Sequence, residues 1–444
     1  MTLLLTLLLW APADTLDLAT LRAAAQAQDP RAVQPALLAR ASRLRLEAIQ
    51  AERLPQIALT GQATAQSAVP SVPISLPDGP TPSAPKEQAR VQVEADWSLF
   101  DGGRTARRAA LEVARLDEQT AGVEVALYGL REATTEAFFG AALLASQAET
   151  LRLAARDLEA RLAVLRDRAD NGAALSADAD ALEADLLGVR QQVLEVEADR
   201  AAALAVLSDL TGLEVGPGDV LAAPTLEAAA DLRRRQGAVL SADDLADALE
   251  GEGRPEFARF RATARRAQAE AALARAATAP TVSLFGQAGV GRPSPFDFLS
   301  DEVSEYAQVG LRVRWAPFDW GRSSRQAQAA LVQAEVARTE ADALARRLLR
   351  DTEDEIADLD RLRAALEVDA RIVALRQEAL RVAGRRLDEG VILPDAYTDR
   401  VTDLAAARLA QDRHRVEVAR AQARALTTLG LFPDLEADAS PADR

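Results

Sequence analysis

Residues 97–104 read WSLFDGGR and residues 315–322 read WAPFDWGR, and each stretch ends a run of alternating residues. Each also opens 68 residues without a proline, 104–171 and 322–389. Proline breaks a helical ladder, so these runs are free to be helix throughout. At about 1.5 Å per residue each would reach roughly 100 Å if continuous. Helices in globular proteins average about 11–12 residues, so one this long needs a partner beside it along its whole length. The partner is written into the heptads: Leu359, Leu366, Val373, Leu380 and Leu387 recur every seven residues, as do Leu144, Leu151, Leu158 and Leu165. A seven-residue apolar repeat keeps one stripe facing a neighbouring helix under left-handed supercoiling.

The two stretches belong to a tandem duplication. At an offset of 218, Trp97, Phe100, Asp101, Gly103 and Arg104 fall on Trp315, Phe318, Asp319, Gly321 and Arg322, Gly172 falls on Gly390, and Gly212 falls on Gly430. Upstream the offset is 225, matching Pro30 to Pro255 and PQIALTGQA from Pro55 to PTVSLFGQA from Pro280. The change falls in the proline-rich stretch 68–87 and its counterpart near 291–303, where a surface loop tolerates an insertion. Each half reads helix, strand, loop, strand, long helix, glycine turn, long helix. The return helices span about 176–212 and 394–430, with Ser176 read as an N-cap and Pro394 as a first helical residue.

Four strands are legible by alternation, at about 55–67, 88–100, 280–292 and 304–318. Val91, Val93, Ala95, Trp97 and Leu99 oppose Gln92, Glu94, Asp96 and Ser98. Ala307, Val309, Leu311, Val313 and Trp315 oppose Gln308, Arg312 and Arg314. Ile57, Leu59, Ala63 and Ala65 oppose Gln56, Thr60, Gln62 and Thr64, while Val282, Leu284, Ala288 and Val290 oppose Thr281, Ser283 and Gln287. Runs of about 10–13 residues exceed the usual strand of about 5–6 and suit a tilted strand crossing a bilayer. Trp97, Phe100, Trp315, Phe318 and Trp320 cluster at the strand ends, as a membrane-rim aromatic girdle would. A half-buried soluble sheet also alternates, but mid-strand charges suit a wet lumen better. Four strands cannot close a barrel, so this reading requires several copies.

Composition narrows the function. The net charge of -16 argues against nucleic acid, whose phosphates need a basic surface. There is no cysteine, and the single histidine, His414, reads as a helix-surface residue and not as a metal ligand. No nucleophile–base pair, phosphate loop or metal cluster is visible, and GQAGVGR from Gly286 lies in a strand, so neither an enzyme nor a cofactor is expected. The start MTLLLTLLLWAPAD reads as an apolar core followed by an A-x-A cleavage site, residues 1–13 forming a signal peptide. No other stretch approaches the roughly 20 apolar residues of a spanning helix.

The chain resembles the TolC family of outer-membrane efflux proteins. The resemblance covers roughly residues 15–432 and rests on LPQIAL entering the first strand, on WSLFDGGR and WAPFDWGR, and on the turns RADNGAALSADADALEAD and RLDEGVILPDAYTDRVTD. It implies a mostly α protein with a membrane β-barrel portion. Long antiparallel hairpins would form a periplasmic α-barrel tunnel, and four strands per subunit would enter a shared twelve-stranded barrel of a homotrimer. It further implies a passive exit duct in the bacterial outer membrane, exporting small molecules or proteins with an inner-membrane transporter and a periplasmic adaptor. The adaptor would dock at the turns around Asn171, Gly172, Glu389 and Gly390. The implied organisation is a first repeat over 14–212 with hairpin 104–212, an equatorial insert over 213–252, a second repeat over 253–432 with hairpin 322–430, and a flexible tail over 433–444.

In that family two aspartates ring the closed entrance. Aligned on Gly390, the first falls on Ala396 and the second on Asp399, so only one is matched. Asp395, Asp399 and Asp403 nevertheless lie at i, i+4 and i+8, on one helical face. Such a face is either a cation-favouring pore constriction or a solvated acidic surface. The reading from another class is a soluble or fibrous coiled-coil scaffold with small β modules, which would stay in solution without detergent.

Overall fold

The computed structural model describes residues 15–69, 85–222, 254–296 and 302–430. The expected signal peptide, most of the proline-rich loop and of the expected insert, and the C-terminal tail therefore lie outside the described residues. The elements in chain order are β1 (Thr15–Asp17), α1 (Leu18–Gln28), a short 3-10 turn, α2 (Gln34–Ala51), β2 (Gln56–Ala65), β3 (Glu87–Phe100), α3 (Arg104–Tyr128), α4 (Leu130–Asp170) and α5 (Ser176–Thr211). They continue with β4 (Val220–Ala222), α6 (Pro255–Arg275), a second 3-10 turn, β5 (Thr281–Arg292), β6 (Ser304–Arg314), α7 (Arg322–Asp388) and α8 (Pro394–Thr428). The chain divides into two compact units, one of residues 1–34, 122–258 and 341–444, the other of 35–121 and 259–340.

The second unit holds an antiparallel sheet in the order β2-β3-β5-β6. The two halves of the duplication meet at its centre, through β3 and β5. Its register sorts the side chains by face: Leu59, Val93, Ala288 and Ala307 form one cross-strand row, and Ala58, Glu94, Gln287 and Gln308 form the next, on the opposite face. The apolar face is bare, with Ile57 74% and Val309 75% exposed. The polar face is bonded within itself. Thr60 donates to Glu94 at 2.9 Å, Gln287 to Gln308 at 2.9 Å and Arg312 to Asp96 at 3.3 Å, while Arg312 lies 4.7 Å from the Phe285 ring centroid. Beside the sheet, Ala271 of α6 packs with Ala327 and Ala330 of α7, and Arg266 pairs with Glu118 of α3 at 2.6 Å.

Two sequence expectations about the strands change. The register shifts between Ser98 and Phe100, so that Phe100 stands opposite Val282. A bulge adds one residue, and so it is Phe100 that ends the apolar face, not Leu99 as strict alternation implies. The last strand ends at Arg314, four residues short of the span read from sequence. Pro317 has no amide to donate, so the ladder cannot continue through 315–318.

The duplicated Phe-Asp-x-Gly-Arg motif is a helix-starting device. Asp101 accepts from the Gly103 amide at 2.8 Å and the Thr105 amide at 2.6 Å, and Asp319 accepts from Gly321 at 3.0 Å and Ser323 at 2.9 Å. Each carboxylate satisfies amides that the first helical turn leaves without partners. The Ser323 backbone and hydroxyl hold the Asp319 carboxyl below the usual range. Gly103 and Gly321 turn the chain at φ 79° and 76°, conformations that cost a side-chain residue about 1 kcal/mol or more. Asp101→Ala should cost about 1 kcal/mol of stability, read as a lower denaturation midpoint.

The first unit is a bundle of the two hairpins. α7 runs 67 residues without interruption, but its counterpart splits at Gly129 into α3 and α4. Gly129 keeps a helical φ of -60° and its amide still reaches the Val125 carbonyl at 3.2 Å, so the break is a local loosening. Glycine is the helix-weakening residue here, and position 347, its counterpart, is Arg. The heptad leucines do face inward: Leu151, Leu158, Leu165 and Leu359 are buried and the others half-buried or better.

Candidate functional site

Where the hairpins turn, four helices share one apolar cluster. α4 contributes Ala154, Ala155, Leu158, Leu162 and Leu165; α5 contributes Ala179, Leu182, Leu186 and Val189; α7 adds Ala383, and α8 adds Tyr397 and Val401. Over this cluster the two turns have matching geometry. Gly172 and Gly390 adopt φ 72° and 71°, and the Ala173 amide reaches Arg168 O at 2.7 Å as the Val391 amide reaches Arg386 O at 2.8 Å. These are Schellman closures, which place glycine in the left-handed region just past the helix end. Asn171, Gly172, Glu389 and Gly390 are all exposed. So are the large apolar side chains beside them, Leu175, Val391 and Leu393. Ser176 is not the N-cap: that position is Leu175, which has extended backbone and no side-chain cap, and Ser176 is the first helical residue. The corresponding residue in the second hairpin is Leu393, followed by Pro394 at the helix start as expected.

A polar lock ties the second turn to the first hairpin. The Tyr397 hydroxyl donates to Asp157 of α4 at 2.6 Å, and Arg161 Nε reaches the same hydroxyl at 3.3 Å. Arg161 Nη1 bonds both carboxylate oxygens of Asp388, the last residue of α7, at 3.1 and 3.3 Å. Its guanidinium carbon lies 5.1 Å from the Tyr397 ring centroid. Arg168 supports the same end of α7 through Asp388 at 3.7 Å and the Leu387 carbonyl at 3.4 Å. Burial, and then the hydrogen bond to Asp157, push the Tyr397 phenol from 10.0 up to about 12. The folded chain thus keeps a proton that the unfolded chain releases between about pH 10 and 12. Stability from this group is complete below 10, and should fall as pH rises through that window, in an alkaline titration of unfolding that Tyr397→Phe removes.

The acidic face of α8 divides. Asp395 and Asp399 are exposed, and Asp395 bonds the Ala396 amide at 2.7 Å. Asp403 is half-buried and paired with Arg376 of α7 and, at 3.0 Å, with Arg400. The structure therefore separates Asp403 from the other two, because an arginine across the hairpin neutralises it. Among the described residues no group of three or more His, Cys, Asp or Glu side chains is arranged to hold a metal. His414 is not a plain surface residue: its Nδ1 lies 2.5 Å from Asp369, which is 8% exposed, and the pair joins α7 to α8. Along the sheet end, Trp97, Phe100, Trp315, Phe318 and Trp320 are all exposed. Phe318 and Trp320 meet edge-to-face at 4.8 Å, and the Trp97 indole donates to the Arg53 carbonyl at 2.9 Å. Sequence reasoning missed Asp157, Arg161, Asp388 and Tyr397. The only signal was an aromatic residue on the inward face of the helix after the second turn.

The fold, with its long hairpins and glycine turns, is similar to that of solved outer-membrane channels. Residues 248–411 match the family model described as outer membrane efflux protein. Solved structures with this fold include CusC, with a TM-score of 0.66, 16% identity and coverage of 96% of each chain. VceC from Vibrio cholerae gives 0.64 and 15%, covering 93% of this chain and 96% of its own, and the open-state MtrE channel from Neisseria gonorrhoeae gives 0.63 and 17%, covering 93% and 89%. A comparison with curated proteins gave no match. The likeness to outer membrane efflux proteins is carried in sequence by residues 248–411, and the likeness in fold spans nearly the whole chain. The described residues are mostly helical with a smaller β portion, the fold of these solved channels.

Proposed function

We propose that three copies of this chain close one barrel in the outer membrane and continue as a helical duct in the periplasm, through which an inner-membrane transporter and a periplasmic adaptor discharge cargo. One observation carries this reading: a four-stranded sheet with one bare apolar face, one polar face and two unpaired edges, β2 and β6. In lipid an unpaired edge is untenable, since each free amide and carbonyl costs several kcal/mol. Pairing β2 of one copy with β6 of the next removes every edge, and three four-stranded contributions make twelve. The apolar rows then meet lipid, the Gln, Glu and Arg rows line water, and Trp97, Phe100, Trp315, Phe318 and Trp320 sit at one rim. No helix among the described residues is long and apolar enough to cross a membrane.

The exposed turns, with Leu175, Val391 and Leu393 beside the glycines, are where the adaptor docks. The Tyr397–Asp157–Arg161–Asp388 network holds the second turn against the first hairpin and keeps the entrance closed until docking pulls it away. Asp399 and Asp395, exposed on α8, face the narrowed entrance and favour cations there, while the paired Asp403 contributes little. Planar-bilayer recording tests this. Wild-type protein should form pores, and Asp399→Asn should weaken cation preference or divalent block. An unchanged response would remove Asp399 from the constriction, and a protein without pores would overturn the channel reading.

A further inference from the structure

Arg161 of α4 reaches Asp388 of α7 and Tyr397 of α8 across a helical residue that has no side chain. Gly384 is a buried glycine near the end of α7, six residues before the turn at Gly390. A Cβ built there would stand 2.7 Å from Arg161 Nη2, 3.6 Å from its guanidinium carbon and 3.7 Å from Tyr397 Cε2. The first distance is shorter than real contacts allow, so the guanidinium would have to shift. It has somewhere to go: a cavity of about 730 Å³ lies beside it, lined among others by Asp157, Gln377, Glu378, Tyr397 and Arg408. Glu378 offers an alternative carboxylate acceptor there. Gly384 is also costly where it stands, because glycine inside a helix is less favourable than alanine. Nothing else within reach needs the space, as the other two contacts are at ordinary van der Waals distance.

We propose that Gly384 is a positioning residue for the entrance lock: it leaves the slot through which Arg161 crosses α7 to grip Asp388 and Tyr397. The proposal rests on the channel reading above. A side chain at 384 displaces a flexible group, not backbone, so the helix keeps its stability while the lock loosens. That combination separates a positioning role from a packing role, in which conduction would be unaffected and stability would fall.

The experiment is a series of Gly384→Ala, Gly384→Leu, Arg161→Ala and the double variant Gly384→Ala/Arg161→Ala, as full chains in planar bilayers and in thermal unfolding. Gly188→Ala is the control, an exposed helical glycine with nothing within 4 Å of the added carbon. Gly384→Ala should raise mean conductance several-fold with Tm falling no further than in Arg161→Ala, and Gly384→Leu should raise conductance at least as much. The double variant should conduct like Arg161→Ala alone, because both act through one group. Gly188→Ala should conduct like wild type. The proposal is overturned if both 384 variants conduct as wild type while Arg161→Ala opens the pore, or if the effects at 384 and 161 add. Were the wild type itself to form no pore, the channel reading would fall. The unfolding data would then decide position 384 alone, coupling with 161 supporting the role and additivity overturning it.

Discussion

Arg161→Ala should turn a closed entrance into a leaky one. The guanidinium makes hydrogen bonds to the Asp388 carboxylate and the Tyr397 hydroxyl, and its side chain is only 27% exposed. Hydrogen bonds to charged groups at such sites contribute about 1.5–3 kcal/mol net, and 1.4 kcal/mol is a factor of ten in an equilibrium. If the closed form alone makes these contacts, their loss shifts the population roughly ten- to a hundredfold toward open. Single-channel recording checks this as longer open times and higher mean conductance. Tyr397→Phe removes the bond to Asp157 and keeps the ring beneath Arg161, so its effect should run the same way and be smaller. Arg161→Lys keeps a charge but cannot bond Asp388 and Tyr397 at once, and should fall between the two.

The largest loss of stability should come from Phe138→Ala, about 3–5 kcal/mol. Phe138 is fully buried and meets Phe139 edge-to-face at 5.1 Å. Around the pair lie Leu18 and Leu21 of α1, Leu204 and Leu207 of α5, and Ala419 and Ala423 of α8. The ring thus joins both hairpins to the N-terminal helix, and the helices packed around it limit how far the vacated space can collapse. Chemical denaturation should show the midpoint falling with little change in slope. Phe138→Leu, which retains most of the volume, should lose less. A drop below about 1 kcal/mol for the alanine variant would mean the cluster is looser than its burial implies.

Much of this architecture is legible in the chain because its signals are periodic. Alternation over Val91–Val93–Ala95–Trp97 needs no partner to be read, and seven-residue spacing from Leu359 to Leu387 marks a helix face by itself. The strand-to-helix motif repeats because its Asp and Gly perform the same capping twice. What sequence does not disclose is who meets whom. Tyr397 and Asp157 are 240 residues apart, and only the folded hairpins bring them together. Three aspartates on one helical face look equivalent until Arg376, 27 residues away, neutralises Asp403. His414 reads as surface until its partner Asp369 is known. The bulge that brings Phe100 opposite Val282 leaves no mark, since Leu99 and Phe100 are equally apolar. At the first turn, Ser176 has the right chemistry for a cap but stands one residue too late, because the Schellman closure sets where the next helix begins.

The protein mass of the purified particle bears most directly on the barrel. Extracted from membranes in detergent and measured by light scattering, the protein component should weigh three times one processed chain, and it should precipitate when detergent is withdrawn. A particle of one chain's mass that stays in solution without detergent would mean that the open strand edges and bare apolar rows need neither neighbour nor lipid.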